Sequence, residues 1–275
     1  MRTHDIVRSP RGHAYLNLGA GASWSREWTN LDLHSGEHVR RHDLRKPLPF
    51  TDCVFDAAYS SHLLEHLTPE EGGRLLGEAH RVLRPGGVVR IVVPDLERLC
   101  SDYLEQLGVA AADPSERALR RYRWMQIELL DQMVRTRSGG EMLRMLKRDD
   151  LDREFIRARI GDEVLALGES AEGGVVRRVR ARLSPPREIG PRLLGVLRLR
   201  VLPPQMTGEA HKWMYDRLSL RLALEEAGFR GFEVMTFELS RIVDWHHYRL
   251  DHDVRRRMPR KPDSIYVEAV RPEEP

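Results

Sequence analysis

Cysteine is scarce in this chain: Cys53 and Cys100 are the only two in 275 residues. Two residues that far apart cannot build a disulfide framework or a thiolate metal site, and they suit a reducing compartment. Long apolar runs are missing as well. Nowhere do about eighteen apolar residues follow one another, as a membrane-spanning helix requires. The opening segment MRTHDIVRSPRGH has no apolar stretch of signal-peptide length, so a soluble, cytoplasmic protein with no membrane attachment is expected. A strong charge of either sign is absent too: 45 Lys and Arg face 42 Asp and Glu, a difference of +3. That excess is too small to argue for a nucleic-acid partner. No internal repeat or low-complexity tract excludes the ordinary globular classes.

An apolar fraction of 41% can supply a core, and the length suits one large domain or one domain with an insertion. The informative residues lie between Tyr15 and Glu97. LNLGAG, Leu16 to Gly21, runs an apolar strand into a Gly-x-Gly turn that lets backbone approach a ligand closely. TNLDL puts Asp32 at the end of a second strand, where a carboxylate can accept both hydroxyls of a ribose. VRRHDLR puts Asp43 at the end of a third. FDAAYSSHLLEHL, Phe55 to Leu67, reads as a fourth strand passing into a helix, and GGVVRIVVPD, Gly86 to Asp95, as a fifth strand. Ligands of open parallel sheets lie at the carboxyl ends of strands, which places Gly19, Gly21, Asp32, Asp43, Ser60, Ser61 and Asp95 together.

A nicotinamide-binding sheet is disfavoured by two absences. Trp24 stands where a third glycine would be, and Asp32 follows too early to be the acid expected about twenty residues on. Between Gly21 and Thr29 there is also little room for a crossover helix.

This order of motifs resembles the class I S-adenosylmethionine-dependent methyltransferases, especially the small-molecule branch with a strand-end "LEHL" and a "VLRPGG" turn. The likeness covers residues 15–97 and resumes from His211 to Val270. It implies a Rossmann-like α/β fold with a doubly wound, seven-stranded mixed sheet, and helices on both faces. It also implies S-adenosyl-L-methionine as cofactor: Gly19, Ala20 and Gly21 beside its methionine part, Asp32 and Leu33 at the ribose, Asp43 and Leu44 at the adenine, and Ser60 and Ser61 nearby. Asn17 stands where an acid often closes the first strand, so a contact to the cofactor's amino group would be neutral.

Helical spacing marks Leu75 to Leu83, stopped by Pro85-Gly86-Gly87, and then Leu96 to Leu107, Ser115 to Val134 and roughly residues 141–167. HKWMYDRLSLRLALEEAGF reads as a helix stopping at Gly228, and FEVMTFEL and SIYVEAV as the final strands, paired antiparallel if the family pattern holds. Residues 1–100 and 206–275 would then form the cofactor-binding domain, with 101–205 a mainly helical insertion after the fifth strand. It would serve as a lid or a subunit contact, through which a homodimer could form. Within it Arg177, Arg178, Arg180, Arg182, Arg187, Arg192, Arg198 and Arg200 crowd together between Pro185-Pro186, Pro203-Pro204 and their flanks. They read as a solvated basic face or an anion contact, without interleaved aromatic residues to stack on bases.

For chemistry, His62, Glu65 and His66 stand at i, i+3 and i+4, so they share a face if the segment is helical. His66 can be a buried structural histidine, or His62 can be a general base facing the acceptor. The set could also hold a divalent ion by likeness to the Glu-x-x-Glu-His of quinone-biosynthesis O-methyltransferases, although the first member here is histidine, and no metal is expected. Asp95 could meet an acceptor or cap the next helix. His211 is a further catalytic candidate. Trp213, Tyr215 and Arg241 could wall an acceptor pocket, or Trp213 could belong to the core. The reaction expected is methyl transfer to an oxygen or nitrogen of a small molecule, such as a sugar or secondary metabolite. Alkyl transfer or cyclisation through the cofactor's aminobutyryl carbons, and a non-catalytic cofactor-binding interaction module, are the alternatives.

Overall fold

The computed structural model describes residues 6–170, 209–253 and 258–273, so the arginine cluster and both proline pairs lie outside the described residues. The chain divides into a sheet unit, Met1–Arg98 with Lys212–Pro275, and a helical unit, Leu99–His211.

Seven strands form the sheet: β1 Tyr15–Leu18, β2 Thr29–Asp32, β3 Val39–Arg41, β4 Phe55–Ser61, β5 Leu83–Pro94, β6 Arg230–Met235 and β9 Ser264–Val270. Their order is β3-β2-β1-β4-β5-β9-β6, with β9 antiparallel between β5 and β6 and the pairs among β1 to β5 parallel. Strand order reverses between β1 and β4, which opens a crevice at their carboxyl ends. A separate short ribbon pairs β7 His252–Asp253 with β8 Met258–Pro259.

Alternation along the strands decides what each face covers. Leu16, Leu18, Ala58, Val89, Ile91, Val93, Ile265 and Val267 pack in one core with Leu75, Leu76, Ala79 and Val82 of helix α1, Pro69–Val82, and Leu220 and Leu224 of helix α6, Arg217–Glu226. The other face carries Tyr15, Ala57, Tyr59, Val92 and Tyr266, which pack with Trp28, Ile242, Trp245 and Leu250. On that side the cover is an aromatic-rich segment built around the single-turn helix α7, Trp245–Tyr248. No helix joins β1 to β2; turns and bends fill residues 19–28, as the short spacing requires.

The second face also buries an ion network. Arg90 on β5 is fully buried, and its guanidinium bonds Asp251 and Glu268 at 2.8–2.9 Å and the carbonyls of Thr236 and Leu239. Tyr59 Oη donates to Asp251 at 2.6 Å. A buried charge of this kind is tolerated because each lost water contact is replaced.

Two local expectations change. The segment after β4 is a single 3-10 turn, Leu64–His66, and the α-helix begins only at Pro69. Thr68 and Glu71 form a reciprocal capping box there, with proline at the first helical position. Pro85-Gly86-Gly87 does not separate helix from strand. β5 starts at Leu83, pairs with Phe55 and then shifts register before Ala57 meets Val88, so those residues are absorbed as a bulge with Gly86 at a φ of 76°.

The helical unit holds α2 Leu96–Ala112, which begins in the sheet unit, α3 Glu116–Val134, α4 Gly140–Leu146 and α5 Arg153–Ser170. One helix over 141–167 is therefore two, and Gly161 kinks the second. Asp131 accepts from the backbone of Glu141 and Met142 to cap α4, while Arg159 pairs with Glu128 and Asp102. No helix among the described residues is long and apolar enough to cross a membrane.

Candidate functional site

The tips of β1, β2, β4 and β5 line up, because Leu18 pairs with both Leu31 and Ser60, and Ser61 pairs with Val92. At the first tip Gly19 and Gly21 adopt φ values of 76° and 50°, where side chains are disfavoured. The two glycines serve different ends. A Cβ on Gly19 would lie 3.1 Å from Leu63, so this residue is small to pack against the β4 exit. A Cβ on Gly21 would meet nothing nearer than the Gly19 carbonyl at 4.0 Å, which leaves its face open to a ligand.

Asp32 closes β2 and ties the two tips together. Its Oδ2 accepts from Gly21 N–H at 3.0 Å and its Oδ1 from His34 N–H at 2.9 Å. A carboxylate has about four lone-pair sites, so two bonds leave capacity for two hydroxyls. Leu33, next to it, is an exposed apolar side chain. Asn17 is buried and its amide donates to Ser23 O and Asn30 Oδ1, so it braces the glycine turn from below the tip. Ala20 is buried beside it, and Gly19 and Ala20 N–H both reach the Leu31 carbonyl.

Asp43 lies two residues beyond β3, held by Arg45 through Nε at 2.8 Å and a second guanidinium nitrogen at 2.9 Å. Those hydrogen bonds hold its carboxyl at about 2, below the ordinary range. Leu44 is buried in the main core. Ser60 is buried at the β4 tip, and its hydroxyl has no partner among the described residues. Ser61 follows, half-buried.

His62 leaves β4 with a φ of 51°, which swings it out of the strand. Its N–H donates to Val92 O, Nε2 stands 2.8 Å from Ser264 Oγ and Nδ1 stands 3.2 Å from Glu65 Oε1. Glu65 is fully buried. The separation of His62 and Glu65 thus comes from a strand exit and a 3-10 turn, not from an α-helical face. Ser264 carried no signal in the sequence, since only the pairing of Pro94 with Ser264 brings the start of β9 to this point.

Other candidates lie elsewhere or are engaged. Asp95 accepts from Arg98 N–H at 3.2 Å and so caps α2. His211 is buried in the helical unit, where its N–H donates to Gln132 O. Tyr215 is a core residue rather than a pocket wall: its ring sits with Leu64 and Leu220, and burial, helped by the Glu65 charge, pushes its hydroxyl up to about 12. Trp213 keeps 44% exposure, with its N–H on the Glu65 carbonyl. Arg241 is a correction: it bonds Gly231 O and pairs with Glu233 near the start of β6, away from the carboxyl-end tips, because the Glu268 carboxylate fixes its backbone.

A sheet with this strand order, parallel except for an antiparallel β9 inserted beside the edge, is a Rossmann-like α/β fold of the class I methyltransferase type. Residues 21–91, about a quarter of the chain, match the family model described as a methyltransferase domain. That match and this strand order support a class I S-adenosylmethionine-dependent methyltransferase fold with S-adenosylmethionine as its cofactor.

No curated protein matches the chain. Among solved structures it is similar to a S-adenosylmethionine-dependent methyltransferase from Archaeoglobus fulgidus, at 15% identity over 93% of this chain and 85% of that one, with a TM-score of 0.38. A Thermotoga maritima protein titled a possible histamine N-methyltransferase shares 11% over 94% and 81%, with a TM-score of 0.40. The 1,6-didemethyltoxoflavin-N1-methyltransferase of Burkholderia thailandensis, bound to 1,6-didemethyltoxoflavin and S-adenosylhomocysteine, shares 26% over 30% and 44%, with a TM-score of 0.25.

Proposed function

We propose that this protein transfers a methyl group from S-adenosylmethionine to an oxygen or nitrogen of a small molecule. The Gly21–Asp32 link carries the reading: it sets an open glycine and a carboxylate with spare acceptor capacity on neighbouring strand tips. Asp32 would take the ribose hydroxyls with Leu33 beside it, Gly19, Ala20 and Gly21 the methionine portion, and Asp43 and Leu44 the side toward the adenine. The unpartnered Ser60 hydroxyl suits a polar ligand atom at the β4 tip, since a buried hydroxyl without a hydrogen bond is costly. Asn17 supports the turn, and Ser61 borders the β4 exit.

When bound, the cofactor supplies an electrophilic methyl on a sulfonium. The chain's task is then to bind, orient and keep water away, because positioning accounts for much of such a reaction. His62 follows directly on the β4 tip, where its backbone N–H bonds Val92 O of β5. Asp95 and Trp213 remain candidates for acceptor contact.

Calorimetry with S-adenosylhomocysteine tests this directly. Wild-type protein should bind it, and Asp32→Ala should lose about 1–3 kcal/mol of affinity, the worth of hydrogen bonds to a charged group. Equal affinity in the two proteins contradicts the ribose assignment, and no binding to wild type contradicts the function.

A further inference from the structure

His62 and Glu65 stand in a relation the methyltransferase fold does not require. Nδ1 of His62 faces a fully buried carboxylate at 3.2 Å, while Nε2 faces the Ser264 hydroxyl at 2.8 Å. The Glu65 approach is an ion-pair contact rather than a hydrogen bond, and a carboxylate so near favours the ring proton on Nδ1, which would leave Nε2 with its lone pair. The Ser264 hydroxyl then donates to Nε2. Its other neighbour, Asp263 Oδ1, is more distant at 3.4 Å. The His62 backbone is pinned as well, by its N–H on Val92 O and its left-handed φ.

We propose that Glu65 is a positioning residue that orients His62 so that Nε2 accepts the proton of an acceptor hydroxyl, and that Ser264 occupies that hydroxyl's place in the resting protein. The proposal rests on the methyltransferase reading and narrows its acceptor class to alcohols or phenols. An amine can attack with its lone pair and shed its proton afterwards, whereas a hydroxyl gains from a base as attack proceeds. As the acceptor oxygen bonds to the methyl carbon, the carbon–sulfur bond breaks and its electron pair leaves on sulfur. The acceptor's proton passes to His62 Nε2. Glu65 balances the imidazolium that results, and the proton later returns to water.

The test needs no acceptor. Long-range proton–nitrogen spectra of the full chain, labelled in histidine, report the His62 tautomer. Diethyl pyrocarbonate with mass mapping reports whether Nε2 is a reactive base, which a merely structural histidine would not be. The expected results are an Nδ1-protonated ring, acylation at His62 that S-adenosylhomocysteine slows several-fold, and a several-fold slower reaction in Glu65→Gln. Ser264→Ala removes only a hydroxyl and guards against a folding failure of the buried variant. It should keep the tautomer and react several-fold faster. An Nε2-protonated ring, an unreactive His62 or an unchanged rate in Ser264→Ala overturns the proposal. If S-adenosylhomocysteine binds by calorimetry while His62 behaves in those ways, only this assignment falls; if it does not bind, the methyltransferase reading falls with it.

Discussion

The backbone N–H of Gly21 donates to Asp32 Oδ2 at 3.0 Å, so the carboxylate that closes β2 also shapes the glycine turn of the neighbouring strand. Loop and carboxylate act as one unit. A change at either position should be felt at the other.

Gly19 and Gly21 should therefore fail in different ways. Gly19→Ala drives a methyl toward Leu63 at a φ of 76°, and a stability loss of about 1–3 kcal/mol by urea denaturation is expected. Gly21→Ala meets open space and costs about 1–2 kcal/mol from backbone strain alone. Its larger effect should be on S-adenosylhomocysteine affinity, with a loss of roughly tenfold or more, equivalent to about 1.4 kcal/mol. An unchanged affinity in Gly21→Ala would mean that no ligand approaches this turn.

Arg90 anchors the aromatic cover of the second face. Arg90→Leu leaves Asp251 and Glu268 buried without their cation, and a loss of about 3–5 kcal/mol is expected. Burial already pushes the Asp251 carboxyl up against the pull of Arg90. Without Arg90 that carboxyl should rise further, so the variant should lose less relative stability in acid than at neutral pH. Denaturant melts at two pH values check both statements, and equal losses would contradict the second.

Asp43 and Arg45 make a more exposed pair. Because the folded carboxyl titrates at about 2, the pair's stabilisation is present above the unfolded value of about 4 and fades as pH falls through about 2. Arg45→Ala should return Asp43 toward about 4 in carboxyl-carbon NMR. Its effect on stability should be small, since both side chains are partly solvated. A midpoint left at about 2 would assign the shift to some other group.

Much of the sheet could be read from the chain, because short apolar strands, strand-end glycine and acids, and the missing crossover helix are local features. Asp32 at the β2 tip and Gly19–Gly21 at the β1 tip needed no tertiary information. The start of α1 carries a local signal that the histidine spacing masks: Thr68, Pro69 and Glu71 spell a capping box, although the apolar spacing begins the helix at Leu75 and the histidine spacing before Leu67. Other features depended on pairings across long stretches of sequence. Arg90 and Glu268 sit in strands that read as apolar and meet only through β5–β9 register. Tyr215 and Arg241 looked like pocket walls because both follow or precede site elements, yet burial claims one and the β6 strand the other. His62 reaches Ser264 only because a left-handed residue turns it across β5, and no periodicity encodes that.

The most direct measurement is the structure of the protein crystallised with S-adenosylhomocysteine. The account predicts the ribose on Asp32, the homocysteine portion against Gly19 to Gly21 and the sulfur facing the β4 exit. A crevice left vacant at saturating ligand, or a nucleoside bound with Asp32 turned away from its sugar, would contradict it.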